Sequence, residues 1–283
     1  MKGNIMINTE ILKYVTYIYF IAFMLYLVMM VMGKEVIGRV ATYVTLLGLT
    51  AHTVALIFRW AESYRLGIGH APLSNLYESL IFFAWTMILL YMIVEWRTKN
   101  RSIGVFATPL AFLAMAYASS PKISESIEPL IPALKSNWLI AHVVTCFFGY
   151  SAFALAFGLS LLFLLKRLEK PESGNVFLRH IPGEEVLDDL SYQMVAIGFL
   201  LLTLGIITGA VWAHSAWGSY WSWDPKETWS LITWLVYAAF LHSRMMRGWR
   251  GKKLAILSVV GFCCVLFTYF GVNYLAGLHS YAQ

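Results

Sequence analysis

Eight long apolar segments run through this 283-residue chain, and they restrict its fold more than any other feature. An α-helix needs about 20 apolar residues to cross the hydrocarbon core of a bilayer, and most of the segments reach that length. The sequence therefore predicts an all-α polytopic membrane protein, built as a single transmembrane domain over residues 1–283. We place the segments at about 12–32, 38–59, 76–95, 103–119, 138–165, 190–213, 229–246 and 254–274.

The composition supports this class. Hydrophobic residues make up 59% of the chain and charged residues 13%, against roughly 25% charged residues in a soluble domain. The net charge of +6 does not indicate nucleic-acid binding, because basic residues in a membrane protein mostly report its orientation. Cys146, Cys263 and Cys264 lie in apolar segments without a C-x-x-C motif, so we expect no thiol–disulfide chemistry from this chain.

The distribution of basic residues predicts the topology. Fourteen of the 21 lie in four connections that alternate along the chain, at 33–39, 96–102, 166–189 and 244–253. Cytoplasmic loops of membrane proteins carry an excess of lysine and arginine. We therefore expect these connections in the cytoplasm, and both termini and the loop after the sixth segment on the extracytoplasmic side.

Aromatic side chains are concentrated at that loop, within about residues 212–229. Interfacial belts also use tryptophan and tyrosine, but they scatter them over many loops. A flat, rigid apolar surface at the water boundary suits a large planar ligand. We call this set the tryptophan platform: Trp212, Trp217, Tyr220, Trp221 and Trp223.

The four residues that follow the platform predict the start of a helix. Asp224 is suited to the N-cap, Pro225 to the first helical position, and Glu227 to the reciprocal position of a capping box. Capping explains both carboxylates, and it also determines where the platform ends.

Two histidines are expected on the same side of the membrane as the platform. His142 lies about one turn inside the fifth segment, and His279 a few residues beyond the eighth. A single histidine at a membrane boundary is usually a hydrogen-bonding residue, but two neutral imidazoles can be the axial ligands of a haem iron. The platform and the pair together predict haem binding.

His242 differs, because it lies near the cytoplasmic end of the seventh segment. An ionisable group inside the membrane is a candidate functional residue. It is either a haem ligand on the inner side or an interfacial residue beside Arg244 and Arg247. This chain offers no partner histidine at that depth, and the roles of the other histidines stay open. These others include His52, His70 and His214.

Haem propionates are carboxylates and favour a cationic partner. Arg59, Arg65 and Lys226 are the outward basic residues nearest the platform in sequence, although Arg59 is equally suited to anchoring its helix at the interface.

The stretch W-G-S-Y-W-S-W-D-P-K-E-T-W-S-L-I-T-W-L at residues 217–235 resembles the WWD signature of the CcsA, CcmC and CcmF family, the haem-handling membrane proteins of cytochrome c maturation. The likeness is to the System II branch, CcsA or ResC, and it covers nearly the whole chain. It includes G-H-A-P-L-S-N-L-Y-E-S-L, W-L-I-A-H-V, L-H-S-R and G-V-N-Y-L-A-G-L-H-S-Y.

This resemblance implies haem b as bound ligand and substrate, presented for covalent attachment to an apocytochrome c with a C-x-x-C-H motif. It implies that His142 and His279 ligate the iron on the outer face, and that His242 is an intramembrane ligand whose counterpart comes from a CcsB (ResB) partner. Other proteins reduce the cytochrome thiols. The platform contacts implied for the ring are Trp217, Trp221, Trp223 and Asp224.

The resemblance further implies that the chain is the haem-binding subunit of a holocytochrome c synthase, and it leaves open whether the chain is an enzyme by itself. The expected location is the bacterial cytoplasmic membrane, with the thylakoid membrane as the alternative.

Three other functions fit the sequence less well. A b-type electron-transfer cytochrome stacks paired histidines at both membrane depths, whereas this chain has two outside and one inside. A membrane glycan or lipid transferase would use Asp224 and Glu227, which capping already explains. A transporter of small solutes is disfavoured because acidic residues are absent from the middle of the segments.

Overall fold

The computed structural model describes residues 7–130, 135–168 and 180–275, and these residues form helices and loops without a β-strand. All eight predicted segments are helical there, which confirms the all-α class. The helices are α1 (Ile7–Met32), α2 (Glu35–Arg65), α3 (Leu76–Thr98), α4 (Gly104–Ala118), α5 (Asn137–Leu168), α6 (Glu184–Trp217), α7 (Pro225–Arg247) and α8 (Lys252–Tyr269). A short 3-10 helix, Gly271–Tyr274, follows α8.

Six of these helices are long and apolar enough to cross a membrane, namely α1, α2, α3, α5, α6 and α8. The protein is therefore an integral membrane protein with several spans. α4 is apolar but has only 15 residues, or about 22 Å of helix, against a hydrocarbon core of about 30 Å. α7 has 23 residues but a more polar composition. Both remain predicted rather than confirmed spans.

The described chain divides into two compact units in the loop between α4 and α5. The first contains α1 to α4, in which α1 packs against α2 and α4, and α3 packs against α2 and α4. The second contains α5 to α8, in which α5 packs closely against α6 and also against α8, and α7 packs against α6 and α8. The single domain expected over residues 1–283 stays a prediction.

Two acidic side chains are buried at opposite ends of α3, and both are compensated. Glu78 forms an ion pair with Arg59 of α2, with 2.8 Å between Oε1 and Nε, and both side chains are at most 1% exposed. Near the other end, Glu95 accepts hydrogen bonds from the hydroxyls of Tyr91 at 2.6 Å and Tyr26 at 3.2 Å. Buried charge is tolerated when it is paired and hydrogen-bonded, so these contacts fix how α3 sits among its neighbours.

In the second unit, aromatic stacking and an ion-pair cluster hold the helices together. Phe153 of α5 and Tyr237 of α7 stack with ring centroids 3.6 Å apart and planes 4° apart. Near the end of α7, the Arg244 guanidinium pairs with Asp188 and Asp189 of α6. These contacts orient α7, which begins at the platform.

Candidate functional site

The tryptophan platform begins on a helix and continues into a loop. The sixth predicted segment ended at about residue 213, but α6 continues to Trp217, so Trp212 and Trp217 belong to its last two turns. Gly218 ends the helix with a φ of 77° and donates its amide to the His214 carbonyl. The longer helix gives the first part of the platform the rigidity of hydrogen-bonded backbone.

The predicted capping box at the start of α7 is confirmed. The Asp224 side chain accepts a hydrogen bond from the Lys226 amide at 2.9 Å. The Glu227 carboxylate accepts the Asp224 amide at 3.3 Å and the Ser222 amide at 2.7 Å. Trp223 lies between the two residues bound by Glu227. Its φ is 59°, a left-handed conformation that costs a bulky residue about 1–2 kcal/mol, so the surrounding hydrogen bonds must hold it.

The platform rings meet edge to face, so they do not make one flat surface. Trp212 is 3% exposed and meets Trp217 with centroids 4.8 Å apart and planes at 68°. Trp221 and Trp223 meet at 5.7 Å and 88°. This corrects the flat surface expected from the sequence: a planar ligand here would meet both ring faces and ring edges. Edge-to-face packing is a favourable arrangement of aromatic rings, because ring edges are positive and faces negative.

The second half of the platform is open to the surroundings. Trp223 is 68% exposed and Tyr220 is 57% exposed. Tyr220 also stacks on the exposed His214 ring, with centroids 4.2 Å apart and planes 15° apart. This stacking is the observed contact of His214, whose role the sequence left open.

His142 lies against the buried half of the platform. Its Nδ1 atom is 2.7 Å from the Gly205 carbonyl oxygen of α6, and its ring runs nearly parallel to that of Trp212, at 16° with centroids 6.1 Å apart. A carbonyl oxygen only accepts hydrogen bonds, so Nδ1 carries the proton and donates it. The lone pair of the neutral ring is then on Nε2, the atom that an imidazole ligand offers to a metal. The structure thus brings His142 together with the first platform residues.

The structure does not show the other two predicted ligands, His279 and His242, beside His142. His279 lies outside the described residues. His242 is exposed on the last turns of α7, 18 residues after Asp224, which is about 27 Å along the helix axis. On α6, the contact of His142 at Gly205 and the partner of Arg244 at Asp188 are 17 residues, or about 25 Å, apart, so His142 and His242 serve separate sites if both bind haem. The Arg244 side chain, 7% exposed, is held by its two aspartates, so it fixes the turn that carries His242.

Two of the three cations proposed for propionates are already engaged. Arg59 is fully buried with Glu78, which corrects its interpretation as an anchor or a ligand contact. Arg65 pairs with Glu62 at 3.2 Å. Among the described residues, no carboxylate lies within ion-pair distance of the Lys226 ammonium. Lys226 is half-buried on the first turn of α7, two residues after Asp224.

The burial of Arg59 and its pairing with Glu78 were missed by sequence reasoning, although an arginine in an apolar segment is a signal that it has a partner. Its other nitrogens donate to the carbonyls of Glu125 and Ser126, at 3.0 and 3.2 Å, and so hold the loop after α4.

Two histidines in the first unit have local structural contacts. His70 lies with Nδ1 2.8 Å from the Ala71 carbonyl oxygen and Nε2 3.0 Å from that of Glu128, so it joins two loops. His52 is completely buried, and its Nδ1 is 3.1 Å from the Tyr19 hydroxyl.

The chain is similar to proteins of cytochrome c maturation over most of its length. The cytochrome c assembly protein family matches residues 73–279. A protein of Pyropia yezoensis named cytochrome c biogenesis protein CcsA is 43% identical over 284 residues, which covers 87% of this chain and 88% of the relative. A protein of the same name from Synechococcus sp. (strain CC9902) is 44% identical over 254 residues, covering 81% and 82%.

A solved structure has the same fold. It is named cytochrome c heme lyase CcmF, and the match has a TM-score of 0.70 at 16% sequence identity over 93% of this chain. This chain spans 46% of the length of that protein. With the family and relatives above, and with the resemblance carried by residues 217–235, the chain belongs to the cytochrome c assembly protein family, among the CcsA proteins.

Proposed function

We propose that this protein binds haem on the extracytoplasmic face of the membrane and presents it for covalent attachment to an apocytochrome c. The observation that carries the proposal is the position of His142: α6 holds its Nδ1, and Trp212 lies alongside its ring. Membership of a family named for cytochrome c assembly supports a maturation role. The protein would act as the haem-binding subunit of a holocytochrome c synthase, with haem b as its substrate.

The site residues have distinct roles in this proposal. His142 and His279 are the axial ligands of the iron. Trp217, Trp221 and Trp223 enclose the ring, and Asp224 fixes their loop through the capping box.

Lys226 is the proposed partner of a haem propionate. It lies on the first turn of α7, directly after the platform loop, and the described residues offer it no ion pair. A cation of this kind is expected to pair with a carboxylate of the ligand.

The attachment chemistry needs positioning more than catalytic groups. Each cytochrome thiol adds across a haem vinyl group: the sulfur bonds to one vinyl carbon, the proton goes to the other, and the reaction involves no net oxidation. The histidine of the C-x-x-C-H segment then replaces one of the two axial ligands. The chain contributes ligation and orientation, while the haem supplies the reactive groups. Thiol-reducing proteins are needed only to keep the cytochrome cysteines reduced.

His242 is proposed to ligate haem at a second, inner site that a CcsB-type partner completes. Its exposure supports this proposal, because ionisable side chains inside membranes almost always face protein or water. Exposed apolar residues lie near it on α7, with Leu235 53% and Met246 73% exposed. A partner helix on this surface would cover the imidazole and supply the opposite ligand.

The proposed orientation follows the distribution of basic residues: both termini and the platform outside, and His242 toward the cytoplasm. The membrane is the bacterial cytoplasmic membrane or the thylakoid membrane.

The test is a reduced-minus-oxidised absorption spectrum of the protein purified with its partner, beside a His142→Gly/His279→Gly double variant. Besides any inner haem that depends on His242, we expect an outer low-spin haem signal that the double variant loses and that added imidazole restores. An unchanged spectrum would refute the outer ligand pair. Fast, reversible reduction by quinol with no cytochrome attachment would instead favour the electron-transfer cytochrome.

A further inference from the structure

We infer that Gly205 and Gly209 of α6 position His142 for the iron, although neither contributes a ligand atom. The inference rests on the proposed role of His142 as an axial ligand. It adds two positioning residues and a means by which the protein tunes its haem.

The first observation is how closely α6 approaches the imidazole. A Cβ atom at Gly209 would lie 2.6 Å from His142 Nδ1 and 2.8 Å from its Cε1. Real Cβ atoms essentially never come within 3.0 Å of another heavy atom, so a side chain at this position would displace the imidazole ring or move α6 away from it. Only glycine lets the helix backbone reach the edge of the imidazole.

The second observation is what the close approach achieves. It places the Gly205 carbonyl oxygen 2.7 Å from His142 Nδ1, within the range of a strong hydrogen bond. The Cys146 sulfur is also near this nitrogen, at 3.6 Å, but a thiol is a weak acceptor. The carbonyl therefore determines that Nδ1 carries the proton and that Nε2 is the ligating atom.

The hydrogen bond also changes the ligand strength. A carbonyl that accepts the Nδ1 proton makes the imidazole more basic, as outer partners of metal-bound histidines generally do. A more basic ligand stabilises ferric over ferrous iron, so this contact lowers the midpoint potential of the haem. Losing such an outer partner typically weakens metal binding about 10- to 100-fold.

The experiment compares Gly209→Ala with Gly198→Ala in the full chain, co-purified with its partner. Gly198 is a matched control on the same helix. Its added Cβ would lie 2.6 Å from the Phe153 ring of α5, so Gly198→Ala should disturb the packing of α5 on α6 as much as Gly209→Ala does. It lies 11 residues before Gly209, about 16 Å away along the axis, and does not touch His142.

We expect Gly209→Ala to lower haem occupancy of the outer, His142-dependent site about 10- to 100-fold, to raise the midpoint potential of the outer haem that remains, and to recover low-spin haem there on addition of imidazole. Gly198→Ala should keep the wild-type spectrum and potential. Equal effects of the two variants would show that Gly209 serves helix packing alone and would overturn the inference.

A second measurement covers the case in which Gly209→Ala does not fold. Nitrogen NMR of histidine-labelled, haem-free wild-type protein in nanodiscs reports the tautomer of His142, with His142→Gln as the assignment control. We expect protonated Nδ1; protonated Nε2 overturns the inference.

A His142→Gly variant separates this inference from the proposed function. If that variant keeps the low-spin haem signal that does not depend on His242, the ligand role itself fails, and the positioning role fails with it. If His142→Gly loses the haem signal while Gly209→Ala keeps both signal and potential, only the positioning role fails.

Discussion

Replacing Glu227 by alanine should disorganise the exposed half of the platform and weaken haem binding about 30-fold. The carboxylate accepts the amides of Ser222 and Asp224, at 2.7 and 3.3 Å, on either side of Trp223. A hydrogen bond contributes about 0.5–1.5 kcal/mol, or about 1.5–3 kcal/mol when one partner is charged, and we count about 1 kcal/mol for each bond because this loop is partly exposed. Two lost bonds then remove about 2 kcal/mol or more, while Trp223 in its left-handed conformation still costs about 1–2 kcal/mol. A loss of about 2 kcal/mol corresponds to the 30-fold change.

The assay combines haem titration of the purified complex in nanodiscs with hydrogen exchange of the amides at residues 218–224. Glu227→Gln keeps an acceptor oxygen and should have an intermediate effect on both measurements. The matched control is Asn75→Ala, which removes a comparable N-cap from α3, where the Asn75 side chain accepts the Glu78 amide at 2.8 Å. That variant should lose about 1 kcal/mol of stability and keep wild-type haem affinity.

Two results would contradict this reasoning. Unchanged exchange at residues 218–224 in Glu227→Ala would show that the capping box does not hold the loop. The second result is faster exchange together with a haem affinity within about two-fold of wild type. It would show that the orientation of Trp223 does not matter for haem, because even about 1.4 kcal/mol would change the affinity ten-fold.

Three further predictions concern single side chains. Lys226→Met should weaken binding of haem more than binding of its dimethyl ester, because the ester lacks the propionate charges; an equal loss for both ligands would exclude the propionate contact. Glu78→Ala should destabilise the protein by about 3–5 kcal/mol by leaving the Arg59 guanidinium buried without its carboxylate, whereas Glu78→Ala with Arg59→Met should recover part of that loss in thermal unfolding. His242→Gly should remove a haem signal only from protein purified with its partner and leave the His142-dependent signal; loss of both signals would argue against two separate sites.

The helices and the start of α7 could be predicted from the sequence because their causes are local. The number of consecutive apolar residues determines which segments are helical in a membrane, and the spacing of Asp224 and Glu227 determines the capping box. The end of α6 was predicted about four residues too early, because the polar residues around His214 suggested a loop while the helix continues to Trp217.

The site itself was predicted as a set of residue types, without its geometry. The sequence indicated that His142 belongs with the platform, but the flat surface expected from the tryptophans is in fact a set of edge-to-face pairs. Ring orientation depends on side-chain packing, which no sequence pattern specifies. The same limit applied to Arg59, which the sequence suggested as an anchor or a ligand contact and which is neither, because it is buried against Glu78.

The sequence alone determined the membrane class, the positions of the helices, the capping of α7 and the candidate residues, because each depends on composition or on residues close together in the chain. Only the tertiary structure decided which nitrogen of His142 is protonated, that Arg59 is buried against Glu78, and which of the three candidate cations has no ion pair among the described residues. Those properties arise from contacts between residues far apart in sequence, such as the 63 positions between His142 and Gly205. Folding brings such residues together only when the helices pack, and the missing side chain of Gly209 is what allows that approach.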